Sequence, residues 1–157
     1  MTRRVVVTGM AGLCPLGSHW EEVKPKLLAK TSAVAIQPGW DTVQGLRTRL
    51  GATVPDFQRP AHYPRKKVRT MGRVALLATR ATELALEEAG LKESPILHGH
   101  RTGVAYGSTT GSLPALLEFL NQLHFHKTLE GITGAHFTQY MAHTCAANIG
   151  QFFEITG

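Results

Sequence analysis

The sequence predicts an α/β protein, with short buried strands lying between helical layers. Three observations carry this. A β-branched run, "RRVVVTG", ends in glycine near the N-terminus. A long apolar periodicity follows in the middle of the chain. The 16 glycines set against only 7% aromatics favour a loop-rich chain over a helical bundle. At 157 residues, 43% of them hydrophobic, the chain fits one domain with a real core.

The elements follow in order. "RRVVVTG" is the first strand and "MAGLCPLG" a turn-rich loop. "SHWEEVKPKLLAK" opens a helix over about 19–29, with a capping box at Ser18 and Glu21 and a disturbance at Pro25. Residues 31–63 are irregular, punctuated by Pro38, Gly39, Gly45, Gly51, Pro55 and Pro60, with a short strand in "RLGATV". Residues 66–89 form the best helix. Val74, Leu77, Ala78, Ala81, Leu84, Ala85 and Ala89 make its apolar face, Arg80 and Glu83 or Glu87 lie opposite, and Gly90 stops it. "RTGVAYGS" is the next strand, "LPALLEFLNQLHFH" a helix, and "HFTQYMAHTCAANIGQFFEITG" another with Phe137, Tyr140, Met141, Thr144 and Cys145 on one face.

Most candidate chemistry yields to simpler readings. Gly9, Gly12 and Gly17 miss the spacing of a dinucleotide loop. Leu13 stands where a short-chain dehydrogenase needs glycine, and the Tyr63/Lys67 pair falls too early for that family and spans Pro64. "GSTTGS" lacks the lysine of a phosphate loop. It reads as a tight turn, or as a wall where backbone approaches a ligand closely. The pairs His98/His100 and His124/His126 sit in a loop and at a helix end without accompanying carboxylates, so no metal site is expected. Cys145 is two residues from His143, which on a helix points it elsewhere, so it reads as a core thiol. Cys14 and Cys145 read as reduced thiols of a cytoplasmic protein. "MTRRVVVTG" is too short for a signal-peptide core, and no apolar run approaches the ~20 residues of a membrane span.

One stretch resists a bland reading. "PRKKVRTMGR" holds five cations, Arg65, Lys66, Lys67, Arg69 and Arg73, and no acid. The chain has 17 Lys and Arg against 11 Asp and Glu, so without this decapeptide 12 cations face 11 acids. Cations at a helix N-terminus oppose the helix dipole, so an external anion should compensate. Nucleic acid would do this, but no recognition module or interleaved aromatics surround the patch. Docking of an acidic protein is the alternative.

Taken together, "RRVVVTGMAGLCPLG", "RLGATVPDF", "RKKVRTMGR", "LALEEAGL", "RTGVAYGSTTGS" and "MAHTCAANIGQFFEITG" resemble, in order and spacing, the β-ketoacyl-acyl-carrier-protein synthases of fatty-acid and polyketide assembly. The likeness covers essentially the whole chain and runs nearest to synthases of polyene-type gene clusters. It implies a thiolase-like layered fold (αβαβα), of which residues 1–157 are the N-terminal portion, ending before the nucleophile strand. It implies decarboxylative Claisen condensation of malonyl-carrier protein with an acyl chain held on a cysteine, assisted by two histidines. None of those three catalytic residues falls in this stretch. The alternative the resemblance leaves open is a non-catalytic chain-length-factor partner.

The resemblance also implies partners and sites. Acyl carrier protein is the expected partner, with a homodimer or a heterodimer with a related synthase subunit, no nucleic acid and no membrane. No cofactor is expected, because the substrate rides on the carrier's phosphopantetheine. Lys66 and Arg69 match the carrier-docking positions, with Arg65, Lys67 and Arg73 as helpers, and Thr70 stands where some relatives carry another base. Thr109 and Thr110 match the acyl-pocket loop, where two threonines imply a more polar wall suited to an unsaturated or aryl-bearing chain. Phe137 and Met141 match residues at the dimer interface that cap the partner's pocket. Ala11 in "TGMAG" and Gly72 after Met71 depart from the family pattern.

Overall fold

The computed structural model describes residues 4–55 and 57–157. The chain divides into two compact units, one of residues 11–58 and one of residues 59–157 with the N-terminal residues up to Met10.

In the smaller unit the first helix, α1 (Trp20–Leu28), forms as expected and accommodates Pro25. The capping box does not form. His19 is the N-cap, with no side-chain cap bond, and Glu22 rather than Glu21 folds back to accept the Ser18 N–H at 3.2 Å. The strand expected in "RLGATV" is β2 (Leu50–Gly51), antiparallel to β1 (Ala35–Ile36). The loop between them turns through a short 3₁₀ segment at Trp40–Thr42.

The larger unit contains α2 (Arg65–Val68), α3 (Arg73–Glu88), a 3₁₀ turn at Pro95–His98, α4 (Leu113–His124), α5 (Gly134–Tyr140) and α6 (Thr144–Phe153). The helix expected over 66–89 is therefore two. It breaks where Gly72 takes an extended conformation and passes so close to Ser112 that a Cβ would lie 2.5 Å from the serine's own. Gly90 does stop α3. At φ +67° it lets its own N–H and that of Leu91 reach back to the Glu87 and Leu86 carbonyls. The final helix is also two. Met141 is extended between α5 and α6, and the Thr144 hydroxyl bonds the Thr138 and Met141 carbonyls across the corner.

The core lies where α3 packs on α6. Ala78, Ile149 and Phe153 form one cluster. Tyr63, Val68, Met71, Ala75 and Cys145 form the other. The fully buried stripe of α3 is Ala75, Ala78, Thr79 and Glu83, so only Ala78 of the expected face is fully inside. Small residues let α6 come close, whereas Leu77 and Leu84 are half-buried.

Neither "RRVVVTG" nor "RTGVAYGS" forms a strand among the described residues. Val5, Val6 and Val7 are 94%, 65% and 76% exposed. A β-branched run becomes a strand only when a neighbour satisfies its backbone, and no described segment pairs with it.

Candidate functional site

The basic segment has little intrinsic reason to be helical. One turn of "RKKV" carries three cations and no acid, nucleation is costly, and the dipole opposes positive charge. Its shape is imposed by tertiary contacts. Val68 and Met71, three residues apart, are each 6% exposed and pull it onto the core. The Arg69 carbonyl accepts from the Gln139 amide at 3.2 Å, and the Thr70 hydroxyl meets Asn148 at 3.1 Å.

The five cations then separate. Lys67 turns inward. Its Nζ donates to the Phe152 carbonyl at 2.9 Å and to Glu154 at 2.8 Å, and lies 5.7 Å from the Phe152 ring centroid. The Lys67 hydrogen bond is also the main cause that holds the Glu154 carboxyl below the usual range. A lysine on the last carbonyls of α6 is favourable there. Arg65, Lys66 and Arg69 are exposed, and no carboxylate among the described residues pairs with them. Arg73 is exposed at the first turn of α3.

His62 and Tyr63, immediately upstream, meet a group that the sequence predicts on the outer side of its helix. Glu83 is 1% exposed. Its carboxylate accepts from the Tyr63 hydroxyl at 2.9 Å, contacts His62 Nε2 at 2.7 Å and Lys92 Nζ at 2.8 Å, and pairs with Arg80. Burial alone would raise its pKa. Hydrogen bonds from Lys92, His62, Arg80 and Tyr63 outweigh that and bring it down to about 2. Burial, followed by the bond to Glu83, pushes the Tyr63 hydroxyl well above its usual range. The available signal was the row Ala75, Thr79, Glu83, spaced by four on one face.

Thr109 and Thr110 are exposed on the loop entering α4. That loop is tied to the end of α5: Gly111 and Ser112 N–H donate to the Tyr140 and Gln139 carbonyls at 3.0 and 2.7 Å. Met141 is half-buried at the C-cap of α5, and Phe137, 51% exposed, sits one turn earlier with its ring 5.3 Å from Tyr140. The two bonds from Gly111 and Ser112 join the segment that carries Thr109 and Thr110 to the one that carries Phe137 and Met141. Cys145 is 2% exposed among Tyr63, Val68 and Met71, a core thiol as read. His98 and His100 lie at the turn before Thr102, and His124 ends α4.

The chain is 28% identical over 155 residues to 3-oxoacyl-[acyl-carrier-protein] synthase 1 of Haemophilus influenzae, covering 99% of this chain and 37% of the relative. It is 30% identical over 161 residues to nodulation protein E of Rhizobium leguminosarum bv. trifolii, covering 100% of this chain and 38% of that protein. A crystal structure of a beta-ketoacyl synthase from Burkholderia phymatum superposes with TM-score 0.90 at 42% identity, over 98% of this chain and 38% of its own. The ishigamide ketosynthase/chain length factor superposes with TM-score 0.72 at 25% identity, again over 98% and 38%. The chain therefore spans under two-fifths of these relatives, and its fold is the N-terminal portion of their α/β thiolase-like architecture. The model of the "Beta-ketoacyl synthase, N-terminal domain" matches residues 2–157, and the chain belongs to the beta-ketoacyl synthase family.

Proposed function

We propose that the protein is a β-ketoacyl-acyl-carrier-protein synthase that condenses malonyl-carrier protein with an enzyme-bound acyl chain, in fatty-acid or polyketide assembly. The observation that carries this reading is the trio Arg65, Lys66 and Arg69: exposed, without a carboxylate partner among the described residues, and set on a turn that the core holds in place. Charges so placed speed and orient encounter with an acidic carrier. Lys67 contributes chiefly by holding the segment to α6, and Arg73 supplies further positive charge. The cargo arrives on phosphopantetheine, so the reading needs no bound cofactor. Thr109, Thr110, Phe137 and Met141 are assigned to the acyl chain. No nucleophile is assigned within residues 1–157, whose place is the family's N-terminal domain ahead of the nucleophile strand. Pairing with a second synthase subunit and a cytoplasmic location belong to the same reading. Among the described residues no helix is long and apolar enough to cross a membrane.

A second reading, a non-catalytic chain-length-factor subunit, is favoured by the likeness to the ishigamide ketosynthase/chain length factor. One assay of the intact protein addresses both. With the wild type, acyl transfer from carrier protein onto a protein thiol, followed by condensation, supports the synthase, and carrier binding without acylation supports the partner subunit. Lys66→Glu with Arg69→Glu is expected to cut transfer from carrier-bound acyl groups at least tenfold and to spare transfer from a small acyl thioester. Equal loss with both donors would overturn the docking assignment.

A further inference from the structure

The basic turn is a single helical turn of like charges, so its geometry must come from its neighbours. Downstream it has Val68, Met71, Gln139 and Asn148. Upstream the chain enters through Tyr63 and Pro64, and the Lys67 N–H bonds the Pro64 carbonyl at 2.9 Å. Tyr63 is 2% exposed, its ring 4.5 Å from that of Phe152 and its hydroxyl on Glu83. His62, with a side chain 57% exposed, closes on the other carboxylate oxygen. The carboxylate is held in turn by Arg80 on its own helix and by Lys92 beyond the helix end. A buried carboxylate with two cations and a phenol has one low-energy place for each partner, so it fixes the two residues that lead into α2.

We propose that Glu83 is a positioning residue for the docking surface: through Tyr63 and His62 it fixes the entry to α2 and so sets where Lys66 and Arg69 present their charge to an acidic carrier. This rests on the docking reading above and adds to it a residue that never meets the partner. Without the clamp the turn still carries its charges but samples more arrangements, and the carrier must order it on binding.

The test measures binding of holo acyl carrier protein to the intact protein by titration calorimetry, together with hydrogen exchange of amides 65–71. Tyr63→Phe removes only the hydroxyl, Glu83→Gln removes the charge, and His62→Gln probes the exposed arm. Each is expected to weaken carrier binding about threefold to tenfold, an ordering cost spread over a few side chains. Each should also speed exchange at 65–71 while amides of α6 stay protected. Lys66→Glu with Arg69→Glu serves as the reference for the docking reading. If that pair abolishes binding while folded Tyr63→Phe and His62→Gln bind as tightly as wild type, the positioning role is overturned and docking stands. If the pair leaves binding unchanged, the docking reading falls and the positioning role with it. Should Glu83→Gln fail to fold, Tyr63→Phe and His62→Gln decide the matter alone.

Discussion

Glu83 shows what a single side chain does to the pH response of the fold. Its pKa falls from 4.5 to about 2 on folding, so its contribution is fully present above the unfolded value. It is lost as pH drops from there through the folded one. The shift corresponds to on the order of 3 kcal/mol at neutral pH. Denaturant unfolding of the wild type should therefore lose about that much between roughly pH 4.5 and 2, while Glu83→Gln starts lower and changes less over the same interval. An identical acid dependence in the two would overturn the account. Beyond its four-residue spacing from Thr79 and Ala75, this residue's burial was not legible in the sequence. A glutamate near a helix end with Arg80 three residues before it looks like a solvated pair, and the partners that pull it inside, Tyr63, His62 and Lys92, are set by tertiary packing. Cys145 was legible because a thiol among apolar neighbours at helical spacing has few other roles.

Among the elements, helices whose own periodicity suffices were read with near-correct bounds. α1 and α4 are examples, and so is the end of α3 at Gly90. The breaks were not. α2 and α3 separate at Gly72, and α5 and α6 separate at Met141, because other segments pass there. Gly72 has an ordinary negative φ, so glycine is required by contact rather than by backbone conformation. Gly72→Ala should cost about 1–3 kcal/mol, the usual penalty of overpacking. Ser112 makes no side-chain cap bond at the start of α4, so Ser112→Gly alone should cost only a few tenths of a kcal/mol. Combined, the two substitutions should recover most of the loss, read as the midpoint of urea unfolding. Failure of Ser112→Gly to rescue would mean that the alanine disturbs the nearby Gln139 carbonyl instead.

At the scale of the whole chain, 17 Lys and Arg face 11 Asp and Glu. The surplus falls on residues 64–73, which hold five cations and no acid, a feature readable directly from charge counting. The apolar exposure was less readable, since the strands expected in "RRVVVTG" and "RTGVAYGS" find no ladder among the described residues. Val5, Val6 and Val7 are open, and along α4 Leu113, Leu117, Leu120 and Leu123 are 58%, 59%, 45% and 46% exposed. Spaced by three and four, those leucines form a continuous stripe down one helix face. Isolated exposed leucines are ordinary, but a contiguous stripe drives association in water. Residues 1–157 produced alone should therefore bind a hydrophobic dye and associate with rising concentration. Leu117→Glu with Leu120→Glu places charge on the open side of α4, away from Ala115, the buried residue of that helix. The double variant should lower dye binding and raise the monomer fraction in sedimentation while helical circular dichroism is kept. If it instead lost helix content, the stripe would be packed against the chain's own interior and the exposed face of α4 would be misassigned.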